Sequence, residues 1–479
     1  MGLTNNLSFI KNRKILLLFT AAISLIFGII SFSWIFWLIF DLFLSFILII
    51  YFSNELRDSS NIHFVSITFL VIYALPSIVL ILLGEIQLDN EDTYLLFSLI
   101  NIGMLGYTLG ALTAKKAFSF EKKENTKISR KINDFFWLTY RYRYLLALIS
   151  GIVILIYGIM PLGMKYLESI AFRKETSGTT LYLKSSIPMI FSPLTIMMIS
   201  IIGDLRKKQK ITFLSYLLIA TVILSIIAGY RVWILALFGC LLIAFQPFLR
   251  KIRYLIPIIA IPAFAAVLIM SGAVRYARSG TTISENLKNA YEYFMKFNSF
   301  GYRFLDFYHG NLSVPFNTFI DVVKNVPNPI EFDYSAPIND FSVLIPKILY
   351  PDRPLTYSEW YVKIFEPKTF KIGGGRTFYI IGFGYLFAGP IGVLIYLFLF
   401  GTLFELMNKL FRLVNDAAGQ FLYSYFFVHI ISFVSGCGFF GFIKTAIVLY
   451  WFIPIFLLFL FIFIINFLNF TRLIPIPSK

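Results

Sequence analysis

Apolar residues run through this chain in long blocks, parted by short polar stretches. Twelve blocks are long enough to cross a bilayer, which takes about 20 apolar residues in a helix. They lie at 15–32, 34–52, 64–84, 93–113, 144–160, 184–203, 212–228, 232–248, 255–272, 380–406, 421–437 and 445–469. Each is predicted to be a helix, because lipid offers no partner to an unpaired backbone N–H or C=O. The first run, Ile15 to Phe52, lacks a small-residue cleavage site and is too long for a signal-peptide core, so it reads as two spans kept in the chain.

Composition agrees with the pattern. Of 479 residues, 58% are hydrophobic and 14% charged, with mean hydropathy +0.79. A soluble domain carries roughly 25% charged residues. The expectation is an all-α polytopic membrane protein of about 12 transmembrane helices, with no separate soluble domain. Spans 1–9 fill residues 1–272, a long outer loop fills 273–379, and spans 10–12 with a tail fill 380–479.

The net charge of +17 could suggest a nucleic-acid partner, but in a membrane protein topology explains it first. With the N-terminus inside, the inner segments hold 24 of the 42 lysines and arginines. The short outer loops hold 6, and the remaining 12 fall in the long loop, which translocates largely regardless of charge. Both termini are therefore expected to be cytoplasmic, and no nucleic acid is expected. Cys240 and Cys437 sit in apolar runs and read as packing residues. His63, His309 and His429 form no metal-ligand spacing, so neither metal nor cofactor is expected.

Charge is scarce within the spans, with Asp41 and His429 the main exceptions and Lys444 at a span edge. A conduit for ions or protons would place more charge there. The polar inventory lies on the outer face instead. The long loop opens with a capping box, Thr282 and Glu285, and Leu287, Tyr291, Phe294 and Asn298 then recur at helical spacing, predicting an interfacial helix. Turn formers follow in "NVPNPIEFDYSAPIND", then the proline-stiffened "LIPKILYPDRP" at 344–354.

Arginines gather at the outer ends of spans and in this loop: Arg173, Arg231, Arg275, Arg278, Arg303, Arg353 and Arg376. Snorkelling to headgroups would account for any one of them. Together they suit a lipid-linked pyrophosphate, because a guanidinium bonds phosphate in bidentate fashion and stays charged. Arg376 follows three glycines, where backbone N–H groups can line up on an anion. A glycosyl transfer would also need a base for the acceptor hydroxyl. His309 in "DFYHGN" and Asp306 are candidates, with Glu331, Asp333, Asp340 and Asp352 behind them. Tyr302, Tyr308, Tyr334, Tyr357 and Trp360 could stack on sugar rings, or belong to the interfacial aromatic belt. The strap 344–354 reads first as a stiff element fixing the loop over an arginine-lined site, and second as a substrate contact through Arg353.

Four stretches carry a likeness to a known family: "GMKYLESIAFRKE" after span five, the "GYR" turn opening span eight, "IPKILYPDRP", and "GGGRTFYIIGFGYLFAGPIGVLIY". In these and in layout the chain resembles the bacterial Wzy-type polymerases of O-antigen, enterobacterial common antigen and capsule. It departs from their pattern at Phe387-Ala388-Gly389-Pro390, and at Lys347, where that family commonly has arginine. The resemblance implies a metal-independent, multi-span (GT-C-like) glycosyltransferase of the bacterial inner membrane. It would move a glycan from undecaprenyl pyrophosphate to a hydroxyl on a second lipid-linked repeat unit. Arg231, Arg275, Arg278, Arg303, Arg353 and Arg376 would bind the pyrophosphate, and His309, Asp306 or Asp352 would act as base. Partners would be the lipid-linked oligosaccharides, membrane lipid, a chain-length regulator and a flippase. An O-antigen ligase of similar layout, or a flippase for the same lipid-linked oligosaccharide, are the alternatives.

Overall fold

The computed structural model describes residues 62–117, 314–326, 340–345, 349–371, 376–413 and 438–444, with isolated helical positions at 26, 288–289, 291–292, 295, 456, 460, 463–464 and 467. Among the described residues the regular elements are all helical. They are α1 (Ile62–Leu82), α2 (Asn90–Ala117), α3 (Val314–Asn325), α4 (Tyr357–Phe365), α5 (Pro367–Lys371), α6 (Ile380–Leu413) and α7 (Gly438–Phe442). Among the described residues two stretches, Asn90–Ala117 and Ile380–Lys409, are by length and composition apolar enough to cross a membrane.

The two ends of α2 fit its direction. Glu91 and Asp92 stand in its first turn and Lys115 and Lys116 in its last, each complementing the helix dipole. α1 closes in a Schellman turn, with Glu85 N–H on Leu80 O at 2.9 Å and Gly84 N–H on Ile81 O at 3.1 Å. A short link then leads to α2.

The seam between α2 and α6 is made of small residues. A side chain at Gly106 would collide with the Leu394 backbone, one at Gly110 with the Phe398 carbonyl, and one at Gly401 with the Tyr107 carbonyl. Glycine lets the two backbones touch, as in small-xxx-small packing of membrane helices. The pairs 106 with 394 and 110 with 398 rise together, so the helices run parallel. The inside-outside alternation asks the same of spans four and ten. Lys409 closes the seam by donating to Ala114 O (2.9 Å) and Lys115 O (2.6 Å), the last carbonyls of α2.

Predicted span ten, 380–406, is not one straight helix. Ala388 and Gly389 leave helical geometry, and Gly389 takes φ +62°, ψ −147°, a conformation open essentially to glycine. Pro390 follows as a first-turn residue, where its missing N–H costs nothing. A side chain at Gly384 would lie 2.7 Å from Val393 Cα. Residues nine apart in a straight helix are about 13 Å apart. The chain therefore folds back at 388–389 into a helical hairpin, with a short limb α6a (380–387) and a long limb α6b (390–413).

Residues 314–326 and 376–379, assigned to the outer loop by sequence, pack against the bundle. α3 buries Phe316, Phe319, Ile320, Val322 and Val323, and touches α1, α2 and α6. Tyr379 N–H donates to Pro315 O (3.0 Å) and Tyr379 OH to Leu70 O (2.9 Å). Leu70 lies about 18 Å along α1 from the Leu82 end, at 1.5 Å per residue. The chain thus descends to Tyr379, and α6a climbs back until Tyr385 OH meets Val326 O at 3.1 Å. Nearby, Lys324 Nζ donates to Gln87 O in the α1–α2 link (2.7 Å).

Two further stretches hold isolated described positions. Phe456, Leu460, Phe463, Ile464 and Phe467 are helical and exposed at one-face spacing within predicted span twelve. In the predicted interfacial helix, Lys288, Asn289, Tyr291, Glu292 and Met295 are helical, and Lys288 pairs with Glu292 at 3.8 Å.

Candidate functional site

The polar side chains of the described loop gather in two clusters above α6. The first is built around α4. Thr356 caps this helix and Glu359 completes the capping box, its carboxylate 2.9 Å from Thr356 N. Cap and box set α4 so that Ser358 Oγ donates to Arg376 O at 2.5 Å. Glu366, just past the end of α4, takes Arg376 Nε at 2.7 Å. Arg376 therefore sits, one-third exposed (33%), at the head of the extended segment that descends to Tyr379. Tyr361, on the same helix, donates to Asp321 of α3 at 2.5 Å. Burial, and then its bond to Asp321, push the Tyr361 phenol well above its ordinary range, so it stays a donor.

The second cluster holds the strap. Asp340 is 3% exposed, and Tyr396 OH donates to its carboxylate from α6b. The Phe440 backbone N–H bonds the same carboxyl. Three residues on, the Val343 carbonyl accepts from Lys444 Nζ (2.5 Å) and from Arg353 Nη1 (3.5 Å). Arg353 Nη1 also reaches Ile345 O at 3.3 Å. The guanidinium closes the strap on itself. Asp352 stands exposed at the turn beside it.

Of the sequence candidates, Arg353, Arg376, Asp340, Asp352, Tyr357 and Trp360 fall among the described residues, and the two arginines bond in separate clusters. Arg231, Arg275, Arg278, Arg303, Asp306 and His309 lie outside the described residues. Two contributors were not singled out in sequence. Tyr396 looks like one more aromatic of an apolar run. Glu366 carries no motif. Asp340 stood in sequence only as one candidate base among several loop carboxylates, and folding buries it. The Thr356-x-x-Glu359 box, by contrast, stands in the sequence in plain view.

A third polar group lies further along α6b, about 13 Å beyond Tyr396 at 1.5 Å per residue. His63 Nε2 meets Glu405 Oε2 at 2.8 Å, and its Nδ1 meets Tyr107 OH at 2.9 Å. Asn408 Nδ2 donates to the same Glu405 oxygen at 3.1 Å. All four side chains are buried. This group ties α1, α2 and α6 together and lies far along α6b from the loop.

No curated protein and no solved structure matches the chain. Residues 154–471, more than half of its length, match the family model described as Domain of unknown function (DUF8712), and the chain belongs to that family.

Proposed function

We propose that the protein is a membrane glycosyltransferase that polymerises polyprenyl-pyrophosphate-linked oligosaccharide repeat units on the outer face of the bacterial inner membrane. In this reading it crosses the membrane about twelve times, with both termini cytoplasmic. The observation that carries the reading is the placement of Arg376. Glu366 holds its Nε and Ser358 holds its carbonyl, at the point where the loop descends into the helix bundle. A guanidinium oriented in this way offers its remaining edge to a phosphate at the surface of the bundle.

In the reaction an acceptor hydroxyl attacks the anomeric carbon of the donor glycan. The bond to the pyrophosphate oxygen breaks, and polyprenyl pyrophosphate leaves with the bonding pair. Arg376, with Arg231, Arg275, Arg278 and Arg303, would stabilise charge growing on the leaving group. His309, Asp306 or Asp352 would take the hydroxyl proton. Arg353 is assigned to the strap, since its Nη1 serves two strap carbonyls.

The test is reconstitution of the purified chain with lipid-linked repeat units as sole substrate. A ladder of glycan lengths is expected, and Arg376→Ala should shorten or abolish it at normal protein level. Intact, folded protein giving no ladder would sink the reading. A carrier for the same lipid is a second reading, favoured by the break at Ala388–Gly389, because broken helices near mid-membrane are a device of carriers. Movement of labelled lipid-linked glycan across a vesicle membrane, without chain growth, would select it.

A further inference from the structure

The strap that carries Arg353 is fastened at its start by one buried carboxylate. Asp340 receives Tyr396 OH from α6b and the Phe440 N–H from α7. Tyr396 OH in turn accepts the Phe439 N–H at 3.0 Å. Gly438, at φ +68°, lets α7 close on this pair, since a Cβ there would lie 2.5 Å from Asp340 Oδ1 and 3.1 Å from Tyr396 OH. The Phe341 ring meets Phe440 edge-on at 5.2 Å, and Lys444 takes the Val343 carbonyl. The strap thus grips α6b and α7 at once. From this grip a path of covalent and hydrogen bonds runs to Arg376. Arg353 ties the far limb of the strap to Val343 and Ile345, Thr356 caps α4, and Ser358 and Glu366 hold Arg376.

We propose that Asp340 is the pin that seats the strap on α6b and α7, and that it is thereby a positioning residue for Arg376. What Arg376 does once positioned rests on the function proposed above, whereas the seating itself does not.

The pin is sensitive to protons. Burial pushes the Asp340 carboxyl up to about 6, against donation from Tyr396 and Phe440, which favour the anion. The groups facing it are Tyr396 from α6b and the Phe440 N–H from α7; Tyr357 acts on Tyr396, and the cations Arg353 and Lys444 bond Val343 O three residues on. An unseated strap returns Asp340 to water and to its ordinary value of 3.8. The seated form then binds the proton more tightly than the unseated one. Seating therefore strengthens as pH falls from about 6 toward 4 and is level above about 7.

Hydrogen exchange on the full-length protein in lipid nanodiscs reads this directly. The Val343, Leu344 and Ile345 amides donate to Asp340 O, Phe341 O and Ser342 O, so their protection, corrected for intrinsic exchange at each pH, reports seating. Asp340→Ala should lower that protection about tenfold or more and leave α2 unchanged, as a local opening does. Asp340→Asn keeps the acceptor and removes the charge, so it should hold protection and lose the pH dependence. Tyr396→Phe, a milder change, should give a smaller loss. Unchanged protection in Asp340→Ala or in Tyr396→Phe overturns the pin, and so does a pH dependence that survives in Asp340→Asn. Glycan ladders are measured on the same samples, where Asp340→Ala should shorten chains and Asp340→Asn restore them. If wild-type protein makes no ladder, the polymerase reading fails and the exchange result still decides the pin.

Discussion

Two levels of α6b, at Tyr396 and at Glu405, each bury a carboxylate and secure it differently. At one level Glu405 is held by the side chains of His63 and Asn408, with Tyr107 fixing the far side of the imidazole. These partners come from α1, α2 and α6, so the carboxylate is enclosed by the walls of the bundle. At the other level Asp340 belongs to the loop, and its partners are one phenol and a backbone N–H. A carboxylate whose partners are all wall residues can leave only if the wall opens. One that arrives on a loop can leave with the loop. The first arrangement suits a fixed joint and the second a seat that can be vacated.

The most drastic way to break this comparison is to attack the seam both levels depend on. Gly110→Leu would drive a side chain into the Phe398 carbonyl, where neither backbone can retreat without parting α2 from α6b. Overpacking of a core costs about 1–3 kcal/mol, and a backbone collision of this kind belongs at or beyond the upper end. The expected outcome is loss of monodisperse protein on size exclusion, with both levels affected together. A variant that purifies with an unchanged melting temperature would mean the seam does not unite them.

Glu405→Ala comes next. It leaves His63 and Asn408 buried without their shared acceptor, and removing one partner of a buried pair costs about 3–5 kcal/mol. Melting temperature should fall cooperatively, as the whole α1–α2–α6 joint loosens. Adding His63→Ala should cost much less than the sum of the two single changes, since partners in one network are not additive. The strap amides at 343–345 should keep their protection below the new melting point. If they lost it together with the joint, the two levels would be one unit and the contrast between wall and loop would fall.

The differing legibility of the two levels in sequence follows from the same contrast. Apolar blocks marked the helices 62–82, 90–117 and the 380–413 region with ends two to seven residues off, apart from the matching start at 380, because periodicity and length are local properties. The fold-back at Ala388–Gly389–Pro390 was present as a departure from a family pattern, yet composition alone read 380–406 as one span. α3 escaped because its 12 residues are too short to cross a bilayer and lie within a polar loop, and its burial comes from α1, α2 and α6 rather than from its own sequence. Glu405 carries no motif, and its partner His63 lies 342 residues away in sequence. Asp340 became distinct from the other loop carboxylates only once Tyr396 and α7 closed over it. The residues easiest to single out in sequence were arginines, and of the two described here one holds the strap and one heads the descent into the bundle.

The smallest effect sharpens the contrast from the loop side. The cap of α4 is a local device that holds a single turn. Removing it should therefore soften its own segment and little else. Thr356→Ala takes away the hydroxyl that accepts the Glu359 N–H at 3.3 Å and donates to the Glu359 carboxylate at 3.0 Å, and leaves the backbone N–H bond to that carboxylate in place. Loss of such a cap costs about 1 kcal/mol, which corresponds to roughly fivefold faster exchange in the first turn of α4. Thr356→Ser should behave as wild type, because serine caps as well as threonine. Neither change should move the melting temperature of the bundle or the protection of α2. The Arg376 end should respond weakly, since Ser358 stands two residues inside the frayed turn while Glu366 lies beyond the intact end of the helix. A cooperative drop in bundle stability from this one hydroxyl would mean that the loop is built into the wall after all, and Asp340 would then be a second fixed joint like Glu405.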